Sequence, residues 1–346
     1  MISNSKFPLL KYIKYFIFFL LAAVIVLAIY GAILESKYDI NRSRIIKVPA
    51  EIVFENVNEF KNWENWSPWF ETDPTMVTSY PDTTSGIGAS YSWKGKSGSG
   101  FMKTVSLIPN KEIVHQINFG KSSTPEVYWK FNEVDEGTEV VWGMRGENSF
   151  TEKFYWLFKG GIEKNTIPVY DRGLELLEKH ILTELEKHSF EPKGAVDYGG
   201  GFYLYQTISC QIQEIEQKMN EMFPVIVEYM AKNNIEASGK HFTLNHKWDE
   251  QNNTAMFSAC IPVKERVITT GDVLTGYLKP QKTFKTIFKG DYKFANEAWE
   301  AAYNGLVAQG FTEIVGAEPF EFYIVGPKDT RNPAKWVTEI YIPIAP

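Results

Sequence analysis

The pattern of apolar and polar positions divides the chain into one uniform run and two patterned stretches. Tyr15 to Leu34 carries no charge over twenty positions. As a helix such a run spans about 30 Å, the thickness of a bilayer's hydrocarbon core. Tyr12, Tyr15 and Tyr30 stand near its ends, where aromatic rings favour the membrane interface. A first patterned stretch follows. Asp39–Val48 reads as a strand, Pro49–Val57 as a short helix opened by proline, and Trp63, Trp66 and Trp69 recur at a three-residue spacing that stacks rings on one helical side. Runs at 75–80, 89–94, 100–108, 112–119, 126–133 and 138–146 read as strands between glycine- and asparagine-marked turns. Residues 151–187 return to helical periodicity through Leu174, Leu177, Ile181 and Leu185, with Gly160-Gly161 and Pro168 predicted to bend or break the first half.

Ser189–Gly201, with Pro192, Gly194 and Gly199-Gly200-Gly201, reads as a flexible linker. A pattern then appears twice. Strand 202–209, helix 211–233, and strands 241–248 and 255–263 are followed by strand 283–289, helix 293–309, and strands 320–325 and 336–344. Pro224 is predicted to kink the first of these helices. The second buries Trp299, Ala302, Tyr303 and Leu306. Two β-α-β-β units in tandem imply a pseudo-two-fold domain with a cleft where the halves meet. The expected fold class is α+β throughout.

The length of 346 residues suits two domains plus extras. Aromatic residues reach 15%, enough to line a ligand cavity as well as fill cores. Net charge is −6, and no Lys/Arg-rich run follows the N-terminal segment, so direct nucleic-acid binding is not expected. Lys6, Lys11 and Lys14 form a basic tail over 1–14, and the expected membrane helix covers 15–34. A cleaved signal peptide is the rival reading, with Val26-Leu27-Ala28 as its site. An uncleaved single-pass anchor in a cell membrane is preferred on the length of the run, and Lys6, Lys11 and Lys14 before it, with the later basic residues assigned to a folded strand, lean the folded domains to the non-cytoplasmic side. Cys210 and Cys260 are either two thiols or one bond.

The most informative single residue is Glu339, the one acid in the last strand-like run. Strand alternation puts it on a face with Val337 and Tyr341, opposite Trp336, Thr338, Ile340 and Ile342. A carboxylate on an apolar face suits a pocket for a cation; solvent, or a partner such as Lys335 or Arg331, would suit it equally. Other motifs carry less. Gly95-Lys96-Ser97 lacks the upstream glycine of a phosphate loop. His180, Glu184 and His188 share a helical face but read as solvated charge, and His241 and His246 fall on opposite faces of one strand. No Ser-His-Asp or Cys-His group is apparent, and no cofactor or metal is expected.

Two resemblances add to this reading. Ile45–Phe54, Trp66-Ser67-Pro68-Trp69, Gly86–Trp93 and the closing helix around Gly173-Leu174 resemble the START-like, polyketide-cyclase/Bet v 1-type helix-grip superfamily over residues 38–188. That resemblance implies an antiparallel sheet around a long C-terminal helix. Phe288–Tyr292, Ala298–Tyr303, Pro319–Tyr323 and Trp336–Ile344 resemble the GyrI-like effector-binding domain of MerR- and AraC-type regulators over residues 202–346. That resemblance implies an aromatic pocket in which the closing Glu, here Glu339, meets a lipophilic cation. Tyr323 and Trp336 would be its walls, with Tyr341 and Tyr303 completing the expected site. The implied function is a membrane-anchored protein that binds a lipophilic or cationic small molecule or a lipid. A hydrolase or cyclase using Glu339 as general acid/base, and a co-chaperone-like protein that docks another protein, are the alternatives.

Overall fold

A computed structural model describes residues 7–96, 98–120 and 124–345. Helix α1 spans Phe7–Ile33. Its segment Lys11–Ile33 is long and apolar enough to cross a membrane, with mean hydropathy 2.9 and only 6% of its window buried. A core helix of that hydropathy would be covered; this one bares its apolar side chains all round. Lys11 and Lys14 lie on the helix rather than in a tail, and residues 1–6 of the expected basic tail lie outside the described residues. Ser97, which ends the Gly-Lys-Ser sequence, lies outside them too.

The first domain is one antiparallel sheet closed by helices. Its elements are β1 (Lys37–Ile46), α2 (Ala50–Asn58), a 3-10 stretch (Phe60–Asn65), α3 (Pro68–Thr72), β2 (Val77–Ser79), β3 (Ser90–Gly95), β4 (Gly98–Ile108), β5 (Glu112–Asn118), β6 (Glu126–Val134), β7 (Gly137–Glu147), α4 (Phe150–Phe158) and α5 (Ile162–Leu185). The strand order is β1-β7-β6-β5-β4-β3-β2. Trp129 and Trp142 are register partners on β6 and β7, so their rings stack at 4.5 Å. Tyr170 of α5 continues the stack at 4.2 Å. A Cβ at Gly173 would meet Trp142 at 2.4 Å, so the missing side chain there is what lets α5 close on the sheet. Trp63 and Trp66 pack edge-on against the same rings, while Trp69, at 37% exposure, caps the group from outside. Gly160-Gly161, both at positive φ, separate α4 from α5 as predicted, but α5 runs unbroken through Pro168.

His115 lies in this interior, fully buried, with Nδ1 3.1 Å from the Thr104 hydroxyl. Burial pushes its imidazole down to about 3. The indole N–H groups of Trp66, Trp129 and Trp142 are buried without a partner among the described residues.

The expected linker is not a linker. Ser189–Tyr198 is a strand, β8, paired along its length with β13 (Gln281–Lys289) of the second domain's sheet. Its glycine at 194 has φ +93 and lies at the register shift where β8 bulges against β13. Proline and glycine there mark an edge strand with a bulge, which composition alone does not separate from a flexible connection.

The remaining elements are β9 (Gly201–Gln211), α6 (Ile215–Lys232), β10 (Phe242–Asp249), β11 (Thr254–Val263), β12 (Leu274–Leu278), α7 (Ala295–Ala308), β14 (Phe320–Val325) and β15 (Val337–Pro343). The eight-stranded order is β12-β9-β11-β10-β14-β15-β13-β8. The halves β9-α6-β10-β11 and β13-α7-β14-β15 therefore mirror one another across the β10–β14 seam, where only three residue pairs join them. Met222, Phe223, Ile226 and Met230 seat α6 on the first half. Ala298, Ala302 and Leu306 seat α7 on the second. The opposite face of the sheet is an aromatic layer of Tyr203, Phe242, Phe320 and Tyr341. Helix α6 continues through Pro224; proline has no N–H, so the Asn220 carbonyl loses its helical donor. Cys210 and Cys260 are both free thiols.

Candidate functional site

Each helix of the second domain covers its own half, and the seam between them is left open on the helix side. The result is a cavity of about 1070 Å³. Its walls come from α6 (Met219, Phe223), from α7 (Trp299), from the loops before α7 and β15 (Tyr292, Trp336) and from the seam strands (Thr243, Glu321, Tyr323).

Alternation on β14 decides what the cavity contains. Phe320 and Phe322 pair with Tyr341 and Glu339 on the aromatic layer, so Glu321 and Tyr323 point towards the helices. The Glu321 carboxylate accepts from the Tyr323 hydroxyl at 2.8 Å, from the Thr243 hydroxyl at 3.3 Å and from the Trp299 indole at 3.2 Å. It is half-buried in the cavity wall, and burial raises its carboxyl above the ordinary carboxylate range despite those three donors. Two of the donors fall on Oε1 and one on Oε2. A carboxylate offers about four lone-pair sites, so capacity remains on the Oε2 side. Rings surround it: Tyr292 lies edge-on to Tyr323 at 5.7 Å and against Trp336 at 4.6 Å, and Phe223 lies edge-on to Tyr323 at 6.4 Å. Trp336 is fixed by its indole N–H donating to the Thr330 carbonyl at 2.9 Å. The buried Thr338 hydroxyl also lines the cavity and has no partner among the described residues.

The expected site residues separate. Tyr323 and Trp336 line the cavity. Glu339 does not, and this corrects the expectation. Its register with Phe322 and Ile287 sets it on the other face of the sheet. There Lys285 Nζ pairs with it at 2.7 Å and the Tyr341 hydroxyl donates to it at 2.6 Å. A carboxylate already neutralised and hydrogen-bonded needs no ligand. Tyr341 stacks on Phe320 at 5.0 Å in the same layer. Tyr303 lies farther along α7, its hydroxyl donating to Glu313 at 3.3 Å, outside the cavity lining. Sequence reasoning missed Glu321, Tyr292 and Met219, and read Trp299 only as core.

One arrangement not apparent in the sequence emerges on the aromatic-layer side. His246 sits at a bulge in β10, with Nδ1 2.6 Å from Glu318 and Nε2 2.6 Å from Ser258 Oγ, which in turn is 2.7 Å from Thr207 Oγ1. The order of groups is that of a nucleophile, a base and its orienting acid. Ser258, however, is 0% exposed, so no substrate reaches it, and the network ties β9, β10 and β11 together. Among the described residues no group of three or more His, Cys, Asp or Glu could hold a metal ion.

Comparison with known proteins agrees with this two-part architecture. No curated protein matches the chain. Among solved structures, EcmrR in its complex with DNA is 16% identical, covering 61% of this chain and 87% of that one (TM-score 0.40). A protein of unknown function from Staphylococcus aureus, SA2116, is 13% identical, covering 44% and 98% (TM-score 0.36). The Aha1 dimer from Colwellia psychrerythraea is 19% identical, covering 31% and 74% (TM-score 0.25). The family described as polyketide cyclase / dehydrase and lipid transport matches residues 37–181. The family described as GyrI-like small molecule binding domain matches residues 202–345. The chain thus carries in tandem a segment that matches the polyketide cyclase/dehydrase and lipid transport family and one that matches the GyrI-like small-molecule-binding family.

Proposed function

We propose that the second domain captures a lipophilic cation in the cavity between α6 and α7, with Glu321 as its countercharge, and that α1 holds the chain at a membrane. The observation that carries this is Glu321 itself: a half-buried carboxylate in the cavity wall, with no basic hydrogen-bond partner among the described residues, one side open and aromatic rings around it. An ionised carboxylate is costly to enclose without a cation, and a bound cation would supply what the protein omits. Ring faces such as those of Tyr292, Tyr323 and Trp336 add cation–π attraction once water is displaced. The apolar, bare surface of α1 supports the tether. Thr338 favours ligands that also carry a polar atom for its open hydroxyl.

The test is calorimetric titration of the full chain in detergent with a hydrophobic quaternary ammonium or phosphonium ion and with a neutral compound of the same shape. The wild type should prefer the cation. Glu321→Gln should lose that preference and Glu339→Gln should keep it; the reverse result would sink the assignment. Affinity for the cation should fall as pH drops through the raised carboxyl of Glu321, because protonation removes the countercharge. A second reading rests on that same raised carboxyl, which suits a general base or acid. Turnover of a reactive electrophile that disappears in Glu321→Gln while binding persists would favour it.

A further inference from the structure

Helix α4 is out of place as a domain element, because none of its nine residues is buried although six of them are apolar or aromatic. Phe150, Phe154, Leu157 and Phe158 recur at i, i+4, i+7 and i+8 and form one stripe. Phe150 is 50% exposed, Tyr155 50%, Leu157 38% and Phe158 80%. Single exposed apolar residues need no explanation, but a contiguous set on a short helix does.

The stripe lies against α1. The Phe154 ring occupies the space a side chain at Gly31 would need, at 2.5 Å from the Cβ position, with Phe150 next to it. Lys153 Nζ donates to the Leu34 carbonyl at 2.6 Å and to the Gly31 carbonyl at 3.3 Å, taking carbonyls that the end of α1 leaves without intrahelical donors. The Asn148 N–H donates to the Ser36 carbonyl at 2.7 Å. Residue 148 therefore meets 36, and 154 meets 31, so α4 starts where α1 ends and folds back along it. Its apolar stripe is continuous with the bare surface of α1 at Tyr30 and Ile33. Glu152 is held in the capping box with Ser149. Lys159 and Lys164 supply the basic flank expected beside anionic headgroups.

We propose that α4 is a second membrane-contacting element, lying in the headgroup–acyl boundary of a lipid bilayer beside the end of α1. This rests on the reading of α1 as a membrane span. The occupant is the bilayer surface because the stripe adjoins a helix whose whole exposed surface is apolar, and because aromatic rings with lysines between them match the chemistry of that boundary. Through Gly160-Gly161, α4 leads into α5, whose Tyr170 and Leu174 face the first domain's interior, so one helix connects that interior to the lipid.

The test uses the full chain with Cys210→Ala, reconstituted in phosphatidylcholine vesicles containing phosphatidylglycerol, with an environment-sensitive fluorophore on Val24→Cys, Phe158→Cys or Asp135→Cys. Cys260 is fully buried and stays unlabelled. Lipids carrying a quencher at shallow or deep acyl positions read the depth of each label. The expected result is deep quenching at Val24, shallow quenching at Phe158 and none at Asp135. Quenching at Val24 with Phe158 behaving like Asp135 overturns the role of α4 and leaves the anchor standing. No quenching at Val24 removes the anchor and the proposal with it.

Discussion

The interior of the first domain and the cavity of the second both set aromatic rings around an ionisable group, His115 in one and Glu321 in the other, yet they behave as opposites. In the first, rings from the sheet, the 3-10 stretch and α5 interlock, with Trp63, Trp66, Trp129 and Trp142 at most 1% exposed. In the second, α6 and α7 each sit on their own half, and Tyr292, Trp299, Tyr323 and Trp336 edge the gap between. Aromatic content does not by itself distinguish filling from lining; the number of elements converging on the rings does.

The ionisable groups sharpen the contrast. His115 is held neutral by burial, so the stability it contributes is present above its ordinary value of 6.5 and is lost as pH falls towards about 3. Glu321 is raised by burial, so its contribution has the opposite sign: it is present below the ordinary carboxylate value of 4.5 and is lost as pH rises through the raised value. Acid therefore undermines the first domain while relieving the cavity of the second. The largest expected effect is a loss on the order of 4 kcal/mol from the first domain between pH 6.5 and 3. His115→Gln should flatten that limb in urea titrations followed by tryptophan fluorescence; an unchanged limb would show that His115 is not its source.

Next in size, Glu321→Gln should weaken binding of a lipophilic cation by roughly a hundredfold, the scale of a charged hydrogen-bonded contact, and Glu339→Gln by less than about threefold. Equal losses in both variants would erase the distinction between the two faces of the sheet. Filling tests compare packing directly. Gly173→Ala drives a methyl into Trp142 and should cost about 1–3 kcal/mol. Ala295→Met enters the open cavity and should change stability by about 0.5 kcal/mol or less while reducing ligand affinity. Ligand-free Glu321→Gln at neutral pH should gain about 1 kcal/mol, visible as a rise in Tm, since the variant no longer holds a charge in the cavity wall. A fall in Tm would mean that the three donors to the carboxylate outweigh its burial.

Much of the architecture was legible because its signals are local. The tandem β-α-β-β order, the break at Gly160-Gly161 and the spacing of Trp63 and Trp66 depend on neighbours in sequence. The site was less legible because its signals are not local. Glu321 lies in Phe320-Glu321-Phe322-Tyr323 and Glu339 in Thr338-Glu339-Ile340-Tyr341, two acids alternating with apolar and aromatic residues in the same manner. Alternation groups residues by face without saying which face the helices cover. That choice depends on register, Phe322 opposite Glu339 and Glu321 opposite Ile340, and on Lys285 arriving from β13 to neutralise Glu339. The mistaken linker has the same origin: Pro192 and Gly194 announce irregular backbone, and only the partner strand β13 reveals an edge strand.

The pairing at the seam has one more consequence. Thr243 and Glu321 are opposite one another at the centre of the three pairs, so they occupy equivalent positions in the two halves. A repeated fold would tend to present the same group twice, yet here one copy gives a hydroxyl and the other a carboxylate. The duplication supplies a symmetric shell and Glu321 breaks its symmetry at the seam, where a carboxylate stands on one side and a hydroxyl on the other. Thr243→Glu would restore the parity and set two carboxylates across a strand pair, which on the proposed function would turn a seat for a monocation into one for a dication.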